Sequence, residues 1–278
     1  MTENLSLGYS TCPNDTFIFH ALTHGLVDCG SLRFESVLKD VETLNQAARS
    51  QTLDVTKLSF AAIGQLQETY RLLRSGAALG RGCGPLVVAR AGSDHAQLAA
   101  SKIAVPGLWT TANLLLGLYL SGHPKVMPMT FDRIMPAVAK GDFNFGVIIH
   151  EGRFTFESYG LVDLLDLGQW WEDETGLPIP LGGIAIRRKL GPSVAINVET
   201  TLRESVRYAF DHPEASRRYV KTHAQEMTDE VIDQHIALYV NDDSMEIGDE
   251  GMTAIKVLFD QAREAGMIPD CKKELFAY

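Results

Sequence analysis

The sequence predicts an α/β fold of two lobes with a cleft between them. Short apolar runs alternate along the chain with longer segments of helical periodicity, the pattern of βα units rather than of bundles or sandwiches. A length of 278 residues suits one large domain or two moderate lobes. Two apolar runs next to glycines, at 85–89 and 183–187, divide the chain where it can cross between lobes. The expected lobes are therefore 1–89 plus 184–278, and 90–183.

Residues 5–9 are an apolar run closed by turn-forming residues and read as a first strand, with a helix over 16–25. A second strand is expected over 32–38. The segment 41–49 spaces Val41, Leu44, Ala47 and Ala48 as one helical face. Residues 54–58 form a third strand that runs into a helix from Phe60, and 85–89 a fourth after the glycine-rich stretch 80–84. In the middle third, 102–105, 126–130 and 145–149 read as strands, and 111–120 and 131–139 as helices. The run 145–149 is too short for a helix and reads as a buried strand. Strands follow at 161–166 and 183–187. From Asn197 the chain turns helical, with Leu202, Val206, Ala209 and Phe210 on one face. Ile255, Leu258, Phe259 and Ala262 share another before a stop at Gly266.

Composition narrows the function. With 45% apolar and 22% charged residues the chain is globular rather than disordered. Its 25 Lys and Arg against 35 Asp and Glu give a net charge of −10. That balance argues against a nucleic-acid binder, which needs clustered cations, yet it leaves room for a small anion in a locally basic pocket. Cys12, Cys29, Cys83 and Cys271 contain no CxxC pair, so reduced thiols in a cytoplasmic protein are expected. The N-terminal segment lacks a basic stretch followed by an apolar one. No apolar stretch approaches the ~18 residues of a membrane span. Neither export nor a membrane is expected, and oligomeric state is not legible.

Ligands of open α/β sheets bind beyond the carboxyl ends of strands, where helix N-termini present free N–H groups. Four such junctions carry polar residues: 10–16, Lys57-Leu58-Ser59, 106–111, and 149–153. They are expected to converge on one cleft. Asn14, Asp15, Thr16, Thr110 and Thr111 are equally good helix caps. Lys57 at the end of an apolar strand needs an anion, either a ligand or an internal carboxylate. His150 ends a buried strand beside Glu151, and an imidazole there is the natural general base. The other histidines, His20 and His235 among them, have no comparable setting. Cys12 at a helix start is either a nucleophile or a structural thiol, with no partner evident. The glycines at 80, 82 and 84 lack the Lys-Ser/Thr of a phosphate loop and read instead as allowing close approach at the crossing. Trp170 and Trp171 read as packing or a cleft lip, and the acidic series from Asp242 to Glu250 as a solvated connection. Lys57, Arg81 and Arg153 are candidates for a positive field toward a substrate carboxylate.

The motifs Ser10-x-Cys12-Pro13-Asn14-Asp15-Thr16-Phe17, Asp40-Val41-Glu42-Thr43-Leu44-Asn45, Thr56-Lys57-Leu58-Ser59, and Gly84-Pro85-Leu86-Val87-Val88-Ala89-Arg90 together resemble the 1,4-dihydroxy-6-naphthoate synthase family. Pro106-Gly107 with Thr110-Thr111-Ala112, Ile148-Ile149-His150-Glu151 with Arg153, Thr175-Gly176-Leu177-Pro178 and Tyr239-Val240-Asn241 continue the match in order. Thr11 departs from the proline common in the family, a change of loop stiffness more than of chemistry. The resemblance implies a type 2 periplasmic-binding-protein-like fold with mixed sheets, used as a cytoplasmic enzyme of the futalosine route to menaquinone. It implies cleavage of cyclic dehypoxanthine futalosine to 1,4-dihydroxy-6-naphthoate and dihydroxyacetone, without metal or organic cofactor. His150 matches the family's proton acceptor, and Lys57, Leu58, Ser59, Thr111 and Ala112 its substrate-binding segments. Asn14, Asp15 and Arg153 lie within family motifs and are added as substrate-binding candidates. Two other readings share the fold: chorismate dehydratase of the same pathway, and a non-enzymatic binder of small carboxylates.

Overall fold

The structure, a computed structural model, describes residues 3–224 and 228–276. The chain opens with β1 (Glu3–Tyr9), α1 (Pro13–Thr23), β2 (Leu32–Leu38), α2 (Val41–Arg49), β3 (Val55–Ser59) and α3 (Phe60–Gln65). Two short strands follow, β4 (Tyr70–Leu72) and β5 (Ala78–Gly80). The middle third contains β6 (Leu86–Arg90), β7 (Ile103–Val105), α4 (Thr111–Tyr119), β8 (Val126–Pro128) and α5 (Phe131–Lys140). It continues with β9 (Phe145–Ile148), α6 (Gly152–Thr155), β10 (Leu161–Asp166) and α7 (Leu167–Thr175). The chain returns through β11 (Ile179–Arg187) and ends in α8 (Gly191–Asp211), α9 (Arg217–His223), α10 (Asp229–Tyr239), α11 (Asp242–Met245) and α12 (Asp249–Glu264).

The strands form two mixed sheets. The first has the order β2-β1-β3-β11-β4, with β5 also on β11; the second is β10-β6-β9-β7-β8. In the first sheet β1, β2 and β3 run parallel and β11 lies antiparallel to β3. In the second, β7 is parallel to β8 and β9, whereas β6 is antiparallel to β9 and β10. Every residue of β3 is buried, as expected of a strand covered on both faces. One side of the first sheet packs Leu7, Phe19 and Ile184 with Leu202 and Val206 of α8. A second cluster joins Phe60 and Leu72 of the first lobe to Val87, Leu115 and Phe145 of the other, with Leu258 of α12. The lobes thus share apolar packing at one end of their interface.

Both crossings lie outside the expected boundaries. Leu86 already pairs with Ile148 and Asp166 in the second sheet, and Ile179 already pairs with Gly80 in the first. The divisions at 89/90 and 183/184 therefore cut through β6 and β11, and the links are 81–85 and 176–178. Hydrogen bonding decides this, since each run is paired along its length whereas glycine marks where the backbone turns. Gly84 has φ +124°, and a Cβ there would lie 2.9 Å from Gly168 Cα. A Cβ on Gly168 would lie 1.8 Å from the Cys83 carbonyl oxygen. The close-approach reading of the glycines thus describes the first crossing.

Other differences have local causes. The first helix starts at Pro13, because proline's fixed φ suits the first helical position. The long helix α8 starts at Gly191 rather than near Asn197. Leu202, Val206 and Ala209 are buried on it, but Phe210 is 42% exposed. Trp171 is fully buried and its Nε1 donates to Pro178 O at 3.0 Å, so it is packing. No helix among the described residues is long and apolar enough to cross a membrane.

Candidate active site

Between the two sheets lies a cavity of about 90 Å³, lined by residues from all four polar junctions. The first junction is organised by Asp15, 1% exposed. Its Oδ2 accepts from Ser10 N–H at 3.1 Å and from Ser10 Oγ at 2.7 Å. Its Oδ1 accepts from Lys57 Nζ at 2.8 Å and from Asn14 Nδ2 at 3.0 Å. The anion that Lys57 requires is therefore internal. Four donors on one carboxylate offset the desolvation that makes a buried ion pair costly. Thr16 donates to Cys12 O at 2.9 Å, back-bonding within its own turn rather than capping.

The junction after β3 presents Ser59 to the cavity. Asn45 of α2 fixes it, accepting from Ser59 N–H at 3.1 Å while its Nδ2 donates to Ser59 Oγ at 3.2 Å and to Trp109 O at 3.3 Å. Leu58 points the other way and is fully buried in the shared apolar cluster, because side chains alternate along a strand. Its side chain does not line the cavity.

The α4 N-terminus brings Thr110, Thr111 and Ala112 to the cavity wall. Thr110 is the cap, accepting from Asn113 N–H at 3.2 Å. Thr111 donates to Leu181 O at 2.7 Å and accepts from Ala61 N–H at 3.3 Å. It thereby pins the second lobe to the first. The first-turn amides of this nine-residue helix, together with its dipole, suit a carboxylate.

His150 follows β9 with φ +56°, a left-handed conformation uncommon outside glycine and a form of strain found at functional sites. Its Nδ1 lies 3.3 Å from Cys12 Sγ, and its ring stands edge-on to Phe131 at 5.2 Å between centroids. Burial lowers its pKa to about 4, outweighing the opposing pull of Asp15, so the imidazole is neutral at pH 7. Burial, then the charges of Asp15 and Glu151, push the Cys12 thiol well above its ordinary range. Cys12 thus has a partner that spacing did not reveal, and as a neutral thiol it is no ready nucleophile.

Arg153 and Arg81 do not line the cavity. Arg153 bonds Asp166 Oδ2 at 2.5 Å and Gly84 O at 3.2 Å, tying α6 to the first crossing. Arg81 bonds Glu250 at 2.6 Å and Gly176 O at 2.9 Å on the surface. Of the expected positive field only Lys57 faces the cavity, with its charge matched by Asp15.

Two polar lining residues escaped the sequence reading, His235 and Tyr239 of α10. His235 is 1% exposed and its Nε2 lies 3.0 Å from Asn14 Oδ1. Its ring is 6.4 Å from that of His150. Burial first, then His150 and Lys57, lower its pKa well below the ordinary value. The i, i+4 spacing of His235 and Tyr239 was the available signal, since it puts both on one helix face.

The chain matches the family described as menaquinone biosynthesis over residues 5–264. It is 50% identical to a Thermus thermophilus protein named "1,4-dihydroxy-6-naphtoate synthase", across 99% of both chains. It is 43% identical to a Streptomyces coelicolor protein of the same name, again across 99% of each. An Archaeoglobus fulgidus crystal structure matches with a TM-score of 0.89 at 37% identity, covering 95% of this chain and 98% of that one. A Candida albicans protein described as having the generic periplasmic binding protein fold matches at 0.71 with 14% identity, covering 97% and 92%; at that identity the likeness shows the fold alone. A matched family spanning most of the chain and full-length relatives at these identities lead to one conclusion: this chain belongs to the menaquinone-biosynthesis family.

Proposed function

We propose that this protein is a 1,4-dihydroxy-6-naphthoate synthase, a cytoplasmic carbon–carbon lyase that cleaves cyclic dehypoxanthine futalosine to 1,4-dihydroxy-6-naphthoate and dihydroxyacetone. The observation that carries the reading is the setting of His150 in a chain half-identical to a protein of that name. It is a neutral imidazole held at positive φ in a cavity lined by both lobes. A neutral imidazole is the form that accepts a proton. In this reading its Nδ1 carries the resting proton, directed to Cys12 Sγ, and Nε2 takes one from the substrate. Proton removal starts carbon–carbon cleavage, and formation of the aromatic naphthalene ring system favours the products. The imidazolium then holds a proton available to the departing three-carbon fragment.

The substrate carboxylate is assigned to the α4 N-terminus, between Thr111, Ala112 and the Lys57–Ser59 segment. Lys57, already paired, contributes a hydrogen-bond donor more than a net charge. Asn14 and Asp15 act by holding Lys57 and the wall around it. In a cavity that excludes water, each preorganised donor to a developing oxyanion lowers the barrier by about 3 kcal/mol.

Purified protein should be incubated separately with cyclic dehypoxanthine futalosine and with chorismate, and the products followed by mass. Dihydroxyacetone from the first substrate supports the assignment. Turnover of chorismate alone would transfer the chain to the dehydratase, and silence with both would make it a binder. His150→Ala should abolish turnover while still binding substrate; near-normal turnover would remove His150 from the mechanism.

A further inference from the structure

His235 is the cavity's second imidazole, and its tautomer can be read from its neighbours. Asp15 is a carboxylate that Lys57 holds at 2.8 Å, so it can only accept. Asn14 therefore turns its Nδ2 toward Asp15, at 3.0 Å, and its Oδ1 toward His235. An amide oxygen can only accept, so His235 Nε2 bears the hydrogen. A neutral imidazole has one N–H, which leaves a lone pair on Nδ1. That atom is buried and has no hydrogen-bond partner among the described residues, whereas buried polar atoms are nearly always paired. The lowered pKa of His235, set mainly by burial, keeps the ring neutral and the lone pair present.

We propose that His235 binds the substrate directly, its Nδ1 accepting a hydrogen bond from a hydroxyl of the sugar-derived part. This rests on the synthase reading and deepens it. A lone pair repels a carboxylate, so the aromatic acid belongs at the α4 wall and the hydroxyl-bearing end at α10. There it lies beside His150, whose ring is 6.4 Å away. The chain Lys57–Asp15–Asn14–His235 therefore sets which way round the substrate lies, and discriminates against molecules without a hydroxyl donor at that end, because they would leave the buried acceptor unpaired.

Two substitutions separate binding from structural support. The Nε2 of glutamine matches that of histidine, so His235→Gln keeps the bond to Asn14 and loses the Nδ1 acceptor. His235→Asn loses the bond to Asn14 and puts an amide oxygen within reach of the Nδ1 position. Steady-state kinetics with cyclic dehypoxanthine futalosine should show KM raised about tenfold or more in His235→Gln, with a smaller change in kcat. His235→Asn should recover most of that loss, and circular dichroism melts should confirm that both fold. The opposite order, Gln near wild type and Asn impaired, would assign His235 to structure and overturn the proposal, as would an unchanged KM in both. Absence of turnover by the wild-type protein would instead overturn the synthase reading, and with it the substrate assigned to this acceptor.

Discussion

His150 sits between opposing influences: burial and Lys57 favour the neutral ring, Asp15 and Asp40 the charged one, and burial wins. The sign of the pH dependence follows. With a pKa of about 4 in the fold against ~6.5 when unperturbed, the unfolded chain binds more protons between those values, so stability rises with pH across that window and is lost as pH falls through it. Catalysis by a neutral His150, as proposed, follows the same rule. The acid limb of the kcat profile, which reports the closed substrate complex, should lie below pH 6.5, with most activity kept at pH 5.5. A limb at or above 6.5 would show that the imidazole is solvated during turnover. At this scale the sequence revealed types more than partners. His150 and Thr111 were legible because one follows a strand and the other starts a helix, and Lys57 because a cation inside an apolar strand needs an anion. The Cys12–His150 contact spans 138 positions, and the pairing of Lys57 with Asp15 depends on the first turn of α1 lying beside the middle of β3. Neither pairing leaves a periodic trace.

The elements most legible in the sequence were those with a repeating apolar face, such as α2 and α12, where Leu44, Ala48, Ile255 and Leu258 are buried as their spacing requires. The short strands β4 and β5 have three residues each, too few for a pattern, and exist because β11 offers them an edge. The crossings are a matter of backbone contact. Gly168 at the start of α7 abuts the first link so closely that an added Cβ would lie 1.8 Å from the Cys83 carbonyl oxygen. Neither backbone can give way without displacing a crossing. Gly168→Ala should therefore cost roughly 3 kcal/mol or more. Gly122→Ala, where a Cβ meets nothing within 4 Å, is the matched control and should stay within about 0.5 kcal/mol. Thermal unfolding checks both, and equal melting temperatures would show that the α7 contact is not rigid.

For the whole molecule, the excess of acidic residues lies at the surface, as in the Glu68, Glu250, Asp229 and Asp233 ion pairs, while the cavity keeps Lys57 and Asp15 balanced. The cleft between the lobes is narrow. Its cavity of about 90 Å³ is well below the ~300 Å³ at the lower end of small-molecule sites, so a bicyclic aromatic acid can enter only if the lobes separate. Their contacts differ from one end of the interface to the other. Around α3, α4 and α12 they share buried apolar side chains, costly to expose. Near α1, His150 meets Cys12 at 3.3 Å, a weak contact. Opening should thus pivot on the apolar end and on the links at 81–85 and 176–178, widening the mouth near His150. Small-angle scattering of the free protein should give a radius of gyration larger than that of this structure, falling toward it on titration with 1,4-dihydroxy-6-naphthoate. Stoichiometric binding with no change in radius would mean that the ligand enters without separation of the lobes, and the pivot would have to be abandoned.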